Sequence, residues 1–160
     1  MDGGFDMVRF VAIDTESVRA LQNGGLDANG QRCERATSDG NGTPCRHCLR
    51  QIEAGEAYLI LSFRPFPGPQ PYAEQGPIFL HARECTRHEG YGSVPQMLKS
   101  SQYIVRGYNS NDRIVYGTGM VIPTDAIPRH SADLLANPEV AYIHVRSAAN
   151  NCYQCRIDRA

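Results

Sequence analysis

Two cysteine pairs with the same spacing, Cys45-Arg46-His47-Cys48 and Cys152-Tyr153-Gln154-Cys155, constrain this chain more than any other feature. A C-x-x-C set among helix-breaking residues wraps both thiolates around one ion, because the intervening amides turn toward the sulfurs. Gly42-Thr43-Pro44 gives the first pair that setting. Cys33 and Cys85 bring the total to six. The first twenty residues include Asp2, Asp6, Arg9, Asp14, Glu16 and Arg19, which leaves no apolar stretch for a secretory leader, so a cytoplasmic location is expected. In a reducing compartment paired cysteines point to metal or redox chemistry rather than to a disulfide framework.

The second pair is harder to use. Residues three apart on a regular strand point to opposite faces, so Cys152 and Cys155 reach one ion together only through a bulge or turn. Cys85 offers a further soft ligand from a polar loop beyond a strand carrying His81. The expected metal set is therefore Cys45, Cys48, Cys85 and Cys155, with Cys152 and His81 in reserve, and a sulfur-rich tetrahedral site suits zinc. Two alternatives stay open: burial of the cysteines as small apolar groups, and a thiol-disulfide switch. His47 is expected to point away from the first pair, His88 and His130 to face solvent, and Cys33 to be a bystander.

Length and composition narrow the rest. A chain of 160 residues, 41% hydrophobic and 21% charged, suits one domain spanning residues 1–160 with one core. Sixteen basic against seventeen acidic side chains give no field favouring nucleic acid or an anionic membrane. No apolar run approaches the roughly 18 residues of a membrane helix. Lys99 is the sole lysine and follows no glycine-rich loop, which argues against lysine-based covalent or phosphate-loop chemistry.

Hydrophobic patterning predicts strands over Phe5 to Ile13, Cys33 to Thr37, Tyr58 to Phe63, Ile78 to Ala82, Tyr103 to Tyr108, Arg113 to Ile122, Val140 to Arg146 and Cys152 to Asp158. Short helices are predicted over Ser17 to Leu21, over Pro95 to Ser101, and from a Thr124 cap to Ala136. Residues 23–44, rich in Gly and Asn, read as a flexible surface segment. The expected class is α+β: a compact domain with a mainly antiparallel sheet, open or barrel-like, and two or three short helices. On the seventh predicted strand Ala141, Ile143 and Val145 should face the core, with His144 and Arg146 on the other face.

The whole chain resembles the bacterial domain of unknown function 1203 family. The resemblance rests on Pro44-Cys45-Arg46-His47-Cys48-Leu49, Gly55-Glu56, the run from Pro71-Tyr72-Ala73-Glu74 to Phe79-Leu80-His81, Ala141-Tyr142-Ile143-His144-Val145-Arg146, and Asn151-Cys152-Tyr153-Gln154-Cys155-Arg156-Ile157. It implies a compact single-domain bacterial protein and carries over no activity, substrate or catalytic residue.

Polar residues projecting from strands give a second candidate site. Glu74 sits in a proline-framed loop before a strand, and Arg106, His144 and Arg146 alternate with apolar residues on theirs. With His81 they form the expected ligand-binding set, suited to an anionic small molecule because arginine offers a planar fork and histidine a switchable proton. Three functional classes follow: a zinc-stabilised small-ligand-binding or interaction domain, a small metal-dependent hydrolase or transferase with an open metal position, and a thiol redox sensor. The absence of a nucleophile-base-orienter pattern favours the first.

Overall fold

The computed structural model describes residues 8–160. The beginning of the predicted first strand, Phe5 to Met7, lies outside them. Among the described residues eight strands form two open sheets. The larger takes the order β1 (Val8–Val11), β8 (Tyr153–Arg159), β7 (Tyr142–Ser147), β5 (Gln102–Tyr108), β6 (Met120–Pro123), and the smaller the order β2 (Glu34–Thr37), β3 (Ala57–Phe63), β4 (Gly76–His81). Every strand pairing is antiparallel. Two α-helices complete the α+β fold: α1 (Thr15–Gln22), capped by the Asp14 side chain on the Ser17 amide, and α2 (Ile127–Leu135). Among the described residues no helix is long and apolar enough to cross a membrane.

The larger sheet is covered on both faces. One carries Phe10, Val105, Ile143, Val145 and Ile157, which pack with Ile127 and Leu135 of α2. Each such side chain, fully buried, contributes about 1.5–3 kcal/mol through removal from water. The other face carries Tyr108, Tyr142, His144, Arg146 and Tyr153 and meets Phe63 and Phe66. His144 and Arg146 are thus buried rather than solvated. Ile143 and Val145 face the apolar core, but Ala141 precedes the strand and packs against the aromatic residues instead.

Three local expectations fail. Pro95 to Ser101 forms a turn, not a helix, because the Met97 amide bonds the Leu49 carbonyl and Gln96 receives the Gln51 amide. The strand predicted from Arg113 shortens to Met120–Pro123, since Ile114 makes only a single bridge with Tyr108 before Gly117 turns the chain. Thr124 does not cap α2; its hydroxyl bonds the Ser100 carbonyl, and a 3-10 turn over Thr124–Ala126 leads into the helix.

Between β7 and β8 the register slips by one residue. Cys155 stands opposite Val145 and Tyr153 opposite Arg146, so Gln154 is extra. This bulge turns Tyr153 toward the smaller sheet's core and leaves Cys155 in the α2-side core.

Candidate functional site

Cys45 and Cys48 lie in a tight loop fastened to β4. A parallel bridge joins Cys45 to Phe79, and the Arg46 amide donates to the Phe79 carbonyl at 3.1 Å. The loop closes with the Leu49 amide on the Cys45 carbonyl and Leu49 in the left-handed region, φ 57°. Because β4 ends at His81, this fastening sets the loop beside His81 and the following residues. Cys45, Cys48, His81 and Cys85 converge there, each offering one ligand atom, all within 4.8 Å of one another. The Cys45 and Cys85 sulfurs are 3.9 Å apart, and the Cys48 sulfur is 3.6 Å from His81 Nδ1.

The surroundings favour a thiolate at Cys45 and a protonated imidazole at His81. The His81 amide points at the Cys45 sulfur at 3.4 Å, and the Cys48 amide donates to it as well. Hydrogen bonds from the Cys48 and Cys85 thiols hold the Cys45 thiol far below its ordinary value, while the Cys85 thiol, donating into Cys45, is pushed up. Hydrogen bonding to the Cys45 and Cys48 sulfurs raises the His81 imidazole to about 10. Protons therefore hold together a cluster of soft donors that a metal cation can hold in their place.

Helix α1 braces the cluster. Gln22 donates to the His81 carbonyl at 2.9 Å and Arg19 to the Cys85 carbonyl at 2.9 Å. His47 does not point away as its position inside the C-x-x-C had suggested. Its Nδ1 lies 3.1 Å from the Cys85 sulfur and its Nε2 2.9 Å from the Thr15 hydroxyl. With the Thr15 hydroxyl donating to Nε2, the Nδ1–H donates to sulfur, the outer hydrogen bond that steadies a thiolate ligand.

Of the metal set read from the sequence, Cys45, Cys48 and Cys85 converge and Cys155 does not. Cys155 is enclosed among Val145, Ile157 and their neighbours, where burial pushes its thiol up to about 12. Cys152 lies in the β7–β8 turn outside the cluster. His81 occupies the fourth place. The spacing His81-x-x-x-Cys85 at a strand end was the signal for it, and the repeated C-x-x-C outweighed that signal.

The ligand-binding set divides too. Glu74 accepts from Arg106 Nη2 and from the Tyr108 hydroxyl at 2.8 Å, and lies 3.6 Å from Arg146 Nη1. Arg146 is anchored through Nε and Nη2 to Asn151, whose φ of 57° an asparagine tolerates, and its buried Nη1 has no hydrogen-bond partner. Glu74 and Arg146 line a cavity of about 380 Å³ with Asn150, Asn151 and Cys152; Arg106 and His144 do not line it. His144 stands opposite Arg106 on the sheet, ringed by Phe66, Tyr108, Tyr142 and Tyr153 at centroid distances of 4.7–5.1 Å. Burial first, then Arg146, Arg156 and Arg106, holds its imidazole well below the ordinary histidine value. His81, at the other end of β4 from Glu74, belongs to the cluster with Cys45, Cys48 and Cys85 instead.

No match is found among curated proteins or among solved structures. The model of the family described as protein of unknown function (DUF1203) matches residues 42–159, a span that holds the cluster and the Glu74–Arg146 cavity, and the chain belongs to that family.

Proposed function

We propose that this protein is a zinc-stabilised small-ligand-binding or interaction domain that performs no turnover at its metal. The observation that carries this reading is the Cys45–Cys48–His81–Cys85 cluster. Three sulfurs and one imidazole nitrogen make the donor set of a structural zinc site, and four protein ligands leave no coordination position for an activated water. The ligands come from two segments that α1 braces, so zinc binding there contributes directly to folding free energy. Six free thiols support a reducing, cytoplasmic compartment.

For the ligand we propose a small anion in the Glu74–Arg146 cavity. Two guanidinium groups against one carboxylate leave a positive charge in excess beside the cavity that Glu74 and Arg146 line. Elemental analysis and X-ray absorption of purified protein test the metal: about one zinc per chain in a three-sulfur, one-nitrogen shell is expected. A folded, metal-free protein with six titratable thiols overturns the reading, and a shell with a bound water returns the metal-dependent hydrolase.

A further inference from the structure

A larger cleft, of about 700 Å³, opens between the Cys45–Cys48 loop, the Gln96–Ser100 segment and the β7–β8 turn. Arg46 lines it while only 3% exposed. Its Nε donates to the Tyr153 carbonyl and its Nη1 to the Pro44 carbonyl, both at 2.8 Å, and its guanidinium lies 5.8 Å from the Phe79 ring centroid. These contacts satisfy two faces of the fork with neutral acceptors. Among the described residues no carboxylate lies within 4.0 Å of Arg46, and Nη2, which makes no hydrogen bond, is not among the buried orphan atoms, so it opens toward the cleft. A buried charge ordinarily faces an opposite one.

The rest of the lining matches that unanswered charge. Lys99, the chain's sole lysine, stands exposed on the same cleft, and the acid there, Glu53, is exposed too. Ile52 and Met97, both buried, supply an apolar wall beside Phe79. Cations on apolar ground with a few amides, here Gln51 and Gln154, are the usual make-up of a small-molecule site.

We infer that this cleft binds a small organic anion, with its carboxylate or phosphate on Arg46 Nη2 and its apolar body against Ile52, Met97 and Phe79. The competing account makes Arg46 a structural staple whose charge balances the thiolates of the neighbouring metal cluster. That account explains the positive charge but not a donor open to the cleft. The site is separate from the Arg146 cavity, although Asn150 and Cys152 line both.

The test is a titration of zinc-loaded, isotope-labelled protein with inorganic phosphate and, separately, with sodium benzoate, read by NMR. The expected result is saturable shifts at the Arg46 Nε–Hε resonance and at the Ile52 and Gln154 amides. Tighter binding of benzoate identifies an apolar carboxylate, and tighter binding of phosphate a phosphate ester. Arg46→Met should weaken binding about tenfold or more, the effect of losing a charge-assisted hydrogen bond. Lys99→Gln, at an exposed position, should weaken it about two- to fivefold with zinc content unchanged. Failure of both probes to saturate, shifts confined to the Arg146 side, or affinities unchanged in both variants overturns the inference. Should Arg46→Met fail to fold, the wild-type shift map and Lys99→Gln still decide it.

Discussion

The Cys45–Cys48 loop and the Cys152–Cys155 stretch have the same spacing and opposite fates. In the first, a left-handed Leu49 and a bridge to β4 turn both sulfurs inward, where they meet His81 and Cys85. In the second, the chain is entering β8, and strand geometry with the Gln154 bulge sends Cys155 into an apolar core while Cys152 stays in the turn. The buried polar groups of the two regions differ in the same way. Around the first pair, soft donors face one another in a cluster that could hold a metal ion. Around the β7–β8 hairpin, Glu74 answers Arg106 and Arg146, and rings enclose His144. A motif with metal spacing becomes a site only where its backbone is free to curl and a second segment arrives with ligands.

The largest test of that contrast is Cys48→Ser. It should release the metal and destabilise the fold by roughly 3 kcal/mol or more, since zinc at structural sites contributes on the order of 10 kcal/mol. Metal content together with melting temperature measures it, and an unchanged melting temperature in zinc-containing buffer would erase the distinction between the two pairs. Cys155→Ser should cost about 1–3 kcal/mol by burying a hydroxyl among apolar side chains, with zinc retained in full. Zinc loss in that variant would restore Cys155 to the ligand set.

His144 sharpens the comparison from the hairpin side. Its folded-state value lies below the 6.5 of an ordinary histidine, so below that pH the unfolded chain binds the proton more readily than the native one. Stability linked to His144 is therefore present above about pH 6.5 and lost as the pH falls through that region. Melting curves of wild type and His144→Phe between neutral and mildly acidic pH should diverge, the variant declining less; parallel curves would mean that the imidazole titrates normally. The smallest expected effect is Cys152→Ser, within about 0.5 kcal/mol of wild type and without metal loss, as befits a partly exposed turn residue.

Much of the fold was legible locally. The α+β class, a first helix over Ser17 to Leu21 and the β3, β4, β5, β7 and β8 strands follow from hydrophobic period and turn chemistry, because alternation commits a strand to one register. The segment from Pro95 departs from its local pattern because the Met97 amide bonds the distant Leu49 carbonyl, and the stretch from Arg113 because its hairpin with Tyr108 ends after one bridge, where Gly117 at φ 94° turns the chain.

Within the metal cluster, the sequence by itself determined the C-x-x-C loop, its turn-forming flank and the presence of Cys85 downstream. Only the tertiary structure decided the fourth member. The choice between His81 and Cys155 depends on which strand lies beside the loop, and a hydrogen bond from the Arg46 amide to the Phe79 carbonyl sets that adjacency across more than thirty residues of chain. The same holds for Arg106 and Arg146. Alternation gave each a face, but whether that face met water or Glu74 depended on the proline-framed loop folding over it, which no local pattern encodes.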